Sequence, residues 1–172
     1  MEHHLTLTGL QDSAGARTAG GLDIIYTKLA VDLQNLAEDT VDAFLPVALD
    51  TLREATACDA TAVVLLDSAG RSIGQVLAAR SEFTNCNPEV LTGLNLDDLP
   101  WLDKHLSHLR VHGIINVDSP PAAQAIEAAR LKAMSCGALL MIGLHIHGQR
   151  AGFLALFFGH PQPNWSVEHT LL

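Results

Sequence analysis

Basic residues are scarce in this chain of 172: ten Lys and Arg stand against nineteen Asp and Glu, a formal charge of −9 with histidine neutral. That sign repels phosphate backbones and anionic lipid heads, so nucleic acid is not an expected partner. The deficit is local, with eleven acids against three bases over 1–67 and eight against seven over 68–172. Cysteine is scarce too. Cys58, Cys86 and Cys136 are odd in number and far apart, which argues against a secreted disulfide framework and for a reducing, cytoplasmic setting. Long hydrophobic runs are missing. The most apolar stretch, 137–159, is broken by His145, His147, Gln149 and Arg150 into pieces shorter than the ~20 residues of a membrane-spanning helix. The start, Met1-Glu2-His3-His4, carries an acid where a signal peptide wants positive charge. Neither membrane insertion nor secretion by that route is expected.

What is present suits one domain, since 48% of the residues are hydrophobic and a chain of this length buries a sizeable core. Residues 1–21, small, polar and glycine-rich without a period, read as a flexible lead-in, and 22–172 as a single domain. Leu22, Ile25, Leu29, Leu33 and Leu36 step by three or four along an amphipathic helix. A second helical pattern runs from Val41 to Ala55, with Pro46 marking a kink or a later start. Ala60 to Leu66 and Ile73 to Phe83 flank Asp67-Ser68-Ala69-Gly70 as a hairpin. A long connection comes next. Pro100 then opens a short helix that Gly113 ends, Ile114 to Val117 is a strand, and Ala122 to Met134 is an alanine-rich helix. Ala138 to Ile146 and Gly152 to Phe158 form a second hairpin around Gly148, and Asn164-Trp165-Ser166 starts a final helix cut short by the chain end. Hairpins imply an antiparallel sheet, so the class is α+β.

In that order of elements, residues 40–172 resemble a GAF domain. The likeness is carried by Leu99-Pro100-Trp101-Leu102 opening the short helix, Gly113-Ile114-Ile115-Asn116-Val117-Asp118, and Pro120-Pro121-Ala122 before the alanine-rich helix. Gly137-Ala138-Leu139-Leu140-Met141, the turn His147-Gly148-Gln149-Arg150 with Gly152-Phe153-Leu154, and Pro161 to Glu168 complete it. The resemblance implies a central antiparallel sheet of five or six strands, with N- and C-terminal helices on one face and a cover of loops and short helices on the other. It also implies a sensory, non-enzymatic role in bacterial signal transduction, of the type found ahead of histidine kinases and cyclic-di-nucleotide cyclases or phosphodiesterases. The domain would bind a small molecule and pass its state through the end helices to an output kinase or cyclase module, in cis or in trans, within two-component or cyclic-di-GMP signalling. Relatives pair through those helices, so a homodimer is expected, with Leu22, Ile25, Leu29 and Leu36 as interface candidates. The Asn-Lys-Phe-Asp-Glu set of cyclic-nucleotide binders and the Cys-His pair of bilin-attaching relatives are missing, and Gly143 stands where many relatives have proline. No ligand or cofactor is assigned.

Nine histidines are many for this length. Trp101, His105, His108 and His112 recur at helical spacing, one stripe if the helix lasts that far. With the family's ligand position between sheet and cover, Trp101 is a stacking face, His105 and His108 are polar contacts, Asn116 or Asp118 is an orienting group, and Met141 is an adaptable floor. As a pocket wall, Trp101 is expected to matter more to binding than to folding. No metal is assigned, although His108 with His112, and His145 with His147 on one side of a strand, are the spacings a metal would use. Two other readings stay open: a ligand-free homodimerisation platform, and a cysteine-dependent free methionine sulfoxide reductase through Cys86 and Cys136, which lacks that family's Gly-Val-Cys-Gly segment.

Overall fold

Residues 41–108 and 110–162 are described in the computed structural model. Contacts divide the chain into two units, Met1–Asp42 and Ala43–Leu172, and the sheet with its covering elements lies wholly in the second. The expected helices over 22–36 and from Asn164 lie outside the described residues. Among the described residues no helix is long and apolar enough to cross a membrane.

Helix α1 spans Val41–Thr56 and runs through Pro46 rather than starting after it. Pro46 stands inside the helix, where it has no N–H to donate to the carbonyl four residues before it. Leu49 and Leu52 are its buried residues, while Arg53 pairs with Asp50 at 2.8 Å on the wet side.

Five strands come after it: β1 Ala60–Leu66, β2 Ile73–Arg80, β3 Val111–Ile114, β4 Ala138–Ile146 and β5 Gln149–Phe158. They make one antiparallel sheet in the order β2-β1-β5-β4-β3, which joins the two sequence-local hairpins through the β1–β5 ladder, Ala60↔Phe157 to Leu65↔Gly152. Alternation along the strands sorts the side chains between two faces. Ala60, Ala62, Val64, Leu139, Met141, Phe153, Ala155 and Phe157 belong to the main core on the inner face. Leu140, Leu156 and Phe158 point the other way, as does Thr61, whose buried hydroxyl donates to Leu49 O at 2.7 Å and so ties α1 to the outer face. Phe153 and Phe157 are almost wholly buried, a contribution of about 1.5–3 kcal/mol each. The β4–β5 turn places His147 and Gly148 both at positive φ, 50° and 76°, as a two-residue hairpin of matching twist demands.

The inner face is roofed by the chain between β2 and β4. The cover comprises 3-10 turns Pro88–Leu91, Leu96–Asp98 and Ala122–Gln124, helix α2 Pro100–Leu106 and helix α3 Ala125–Ala133. Asn87 and Asn95 cap the first two turns by accepting from Glu89 N and Asp97 N. The cover meets the β2 edge where Gly93 N donates to Ile73 O at 2.7 Å and Ile73 N donates to Leu94 O at 2.9 Å.

Three expectations need correction. The second strand of the first hairpin ends at Arg80, not Phe83, because Ser81 Oγ accepts from Phe83 N and turns the chain. The expected strand Ile114 to Val117 begins earlier, at Val111, because α2 stops at Leu106; Gly113 is paired with Leu140 in the sheet instead of ending a helix. Cys86 and Cys136, expected as separate thiols, are joined in a disulfide with Cα atoms 5.4 Å apart. The third cysteine, Cys58, is buried, and burial pushes its thiol pKa up, which keeps it protonated and unreactive.

Candidate functional site

The space between roof and sheet is filled down to a cavity of about 30 Å³. Leu139, Phe153 and Phe157 form its sheet side, and Trp101, Leu102 and Leu131 stand on the roof side. Trp101 is 7% exposed, so it is as much core as wall. A cavity of this size has room for a water molecule and not for an organic ligand.

Two charged side chains line this largely apolar space, Glu127 and Arg130, and of the two only Glu127 is buried. Glu127 stands on the α3 stripe that includes Leu131 and Met134, a spacing of four and three that turns all three inward, and it is 5% exposed. Its Oε1 accepts from Trp101 N at 2.8 Å and from Leu102 N at 3.2 Å, taking up donors that the first turn of α2 leaves free. Its Oε2 is buried with no hydrogen-bond partner among the described residues. Glu127→Ala, which strands both donors, is expected to cost about 2 kcal/mol or more, whereas Glu127→Gln, which keeps the acceptor, costs under about 1 kcal/mol. Urea unfolding of the two variants checks this contrast.

Beyond Leu106 the chain reverses into β3, and this reversal gathers the histidines. The Trp101 and His105 rings lie 4.6 Å apart, His105 and His112 4.3 Å apart edge to face, and His108 and His112 6.1 Å apart. The expected helical stripe is thus corrected: the same residues meet, but across a helix and a strand. His105 Nδ1 sits 2.7 Å from Trp101 O, which requires the proton on that nitrogen. Close approach of α2 depends on Gly143, where a Cβ would fall 2.7 Å from Leu106 O.

The other candidates disperse. Met141 is buried on β4 opposite His112. Asn116 Oδ1 accepts from Asp118 N at 2.9 Å, and the exposed Asp118 carboxylate pairs with Lys132 at 2.6 Å, so both are occupied in a surface turn away from the cavity wall. His145 is on β4 with Nδ1 buried and without a hydrogen-bond partner among the described residues, while His147 sits in the following turn, so the two do not share a strand face. No three His, Cys, Asp or Glu side chains among the described residues converge as metal ligands. Sequence reasoning missed Glu127 and the disulfide. The first had a signal, an acid on an apolar stripe; a pair separated by 50 residues had none.

The histidine group also sets a pH dependence. The His112 pKa is held below its ordinary 6.5, first by burial and then by repulsion from His105, His108 and Arg110. The unfolded chain therefore takes up the proton at higher pH than the folded one, so His112 supports the fold above about pH 6.5 and that support fades as the pH falls further. His112→Gln is expected to flatten this acid-side loss in urea midpoints between about pH 7 and pH 5.

No protein-family model matches the sequence, and no curated protein does. Solved structures do match. A phycocyanobilin-bound GAF domain from a cyanobacterial phytochrome is 18% identical, with a TM-score of 0.63 over 94% of this chain and 87% of its own. A phycoerythrobilin-bound GAF domain from a cyanobacterial phytochrome is 15% identical, TM-score 0.60, over 91% and 89%. The blue-light-absorbing PixJ GAF domain of Thermosynechococcus elongatus is 15% identical, TM-score 0.55, over 72% of each. With hairpins, strand order and roof already in place, these similarities show that the chain has the fold of a GAF domain.

Proposed function

We propose that this domain is a regulatory module of the sensory kind, which takes a small molecule between sheet and roof and passes its state to an output kinase or cyclase module. The observation that carries this is Glu127, a deeply buried carboxyl group with one oxygen unpartnered among the described residues, at the wall of a largely apolar cavity whose one other charged lining residue, Arg130, is exposed. A buried acceptor without a donor is costly. A ligand bearing one hydrogen-bond donor on a flat apolar body satisfies it, with Trp101 alongside. Because the cavity is only about 30 Å³, seating such a ligand requires the roof to lift. Two of the structural neighbours hold bilins, but here Cys86 and Cys136 are bonded and Cys58 is buried, so no attached tetrapyrrole is proposed. Native mass spectrometry of the chain as purified is expected to show a small-molecule adduct that Glu127→Leu abolishes. Bare protein throughout counts against the reading.

A second reading, the ligand-free homodimerisation platform, is favoured by the near-filled interior. It relies on the helix pattern of Leu22, Ile25, Leu29 and Leu36, outside the described residues. Under it, Leu29→Glu is expected to shift a dimer to monomer in sedimentation, and an unchanged mass counts against that helix as the interface.

A further inference from the structure

We infer that the Cys86–Cys136 bond is a redox clasp that holds the roof shut. Its place in the chain is the first reason. Cys86 is two residues before the turn Pro88–Leu91, and Cys136 lies between the end of α3 and the start of β4. Every covering element, including α2 and α3, is thus carried on the loop that this bond closes. The second reason is what it joins. Leu91, five residues after Cys86, and Met134, two residues before Cys136, are both cavity walls. Parting the sulfurs releases one wall from the other.

The third reason is that little else polar holds the first wall. Among the described residues, the hydrogen bonds of 82–92 run within the segment or to its immediate chain neighbours Ser81 and Leu94: Phe83 N to Ser81 Oγ, Thr84 N to Ser81 O, Cys86 N to Thr84 Oγ1, Glu89 N to Asn87 Oδ1, Val90 N to Asn87 O, Thr92 N to Glu89 O and Leu94 N to Leu91 O. The first one to the sheet comes from Gly93 N. Phe83 and Val90 face solvent, 95% and 52% exposed, and packing by Cys86, Pro88 and Leu91 is the rest of the anchorage. On the other side, α3 ends through Ser135 at φ 60°, with Cys136 N donating to Leu131 O, so Cys136 is fixed to the helix by the backbone. A loosely bonded segment is therefore tied covalently to a firmly bonded one.

The step is a thiol–disulfide exchange with a dithiol reductant. Its thiolate attacks one sulfur and breaks the Cys86–Cys136 bond to give a mixed disulfide; its second thiol then displaces that sulfur. Two electrons pass to the pair, two protons end on the cysteine thiols, and the reductant leaves as a disulfide. With the two cysteines at 0% and 2% exposure, attack requires segment 82–92 to lift. The coupling is reciprocal: whatever holds the roof shut protects the bond, and the bond holds the roof shut. The clasp stands whether or not the space beneath takes a ligand.

Hydrogen exchange of the full chain, read by mass spectrometry before and after dithiothreitol, tests it. Peptides over 82–92 and 125–136 are expected to exchange about tenfold faster after reduction, with β1, β4 and β5 unchanged. Oxidised glutathione restores protection in the wild type. The Cys86→Ala/Cys136→Ala variant, whose methyl groups suit the core, exchanges like the reduced chain under either condition, and Cys58→Ala behaves as wild type. No change on reduction, or acceleration spread evenly over the sheet, overturns the inference, the latter by making the bond a general staple. Alkylation of three cysteines instead of one in the unfolded, unreduced chain overturns it as well.

Discussion

Gly152→Ala is expected to be the most damaging single-methyl change in the sheet. A Cβ at this position would lie within bonding range of Val64 O, and the residue adopts φ 157°. The obstacle is backbone, held in the β1–β5 ladder where Leu65 pairs with Gly152, so no side chain can swing away to make room. Relief requires the central pairing of the sheet to open, on the side where the two hairpins join. Overpacking and backbone strain together put the cost on the order of 4 kcal/mol. For a chain of this size that lowers the melting temperature by about 10 °C. Calorimetry decides it, and a variant melting within about 2 °C of wild type would show that the β1–β5 ladder adjusts freely there.

Trp101→Ala is the second large effect; the sequence left Trp101 open between core and pocket wall, with the wall reading making it matter more to binding than to folding. At 7% exposure, beside Leu102 and over the cavity with Phe153 and Phe157, its indole is part of the core. Truncation is expected to cost about 3–5 kcal/mol. It also removes the ring that stacks on His105 at 4.6 Å, leaving the histidine group open to water on that side. A urea midpoint unchanged from wild type would return Trp101 to the role of a dispensable wall. Trp101→Phe, which keeps an aromatic ring in place, is expected to lose less than half as much.

The sheet was legible because its strands are short apolar runs bounded by turn residues. Ala60–Leu66 and Ala138–Ile146 agree with the sequence boundaries, since each is punctuated by Asp67 to Gly70 or by Gly137 and Gly148. The cover was harder. Gly113 carries the same signal whether it stops a helix or fills a strand edge, and only the early end of α2 decides between them. The histidine rings do come together, but not as the expected stripe, because periodicity assumes one continuous helix and the grouping comes from a chain reversal. Asn116 and Asp118 were polar residues at a plausible place, and their partners, each other and Lys132, are invisible until the loop has a shape. Glu127 was open to view as an interruption of an inward stripe. Cys86 and Cys136 came together only through the family likeness, in the reductase reading; their bond was beyond reach because nothing local relates two residues 50 positions apart.

The 5.4 Å between the two bonded cysteine Cα atoms has an architectural consequence. Two consecutive peptide units span that gap, so the whole canopy is a cassette inserted at one point of a four-stranded scaffold made of β2, β1, β5 and β4. Such an insert can lengthen, shorten or be exchanged for another while the β2-β1-β5-β4 register stays as it is.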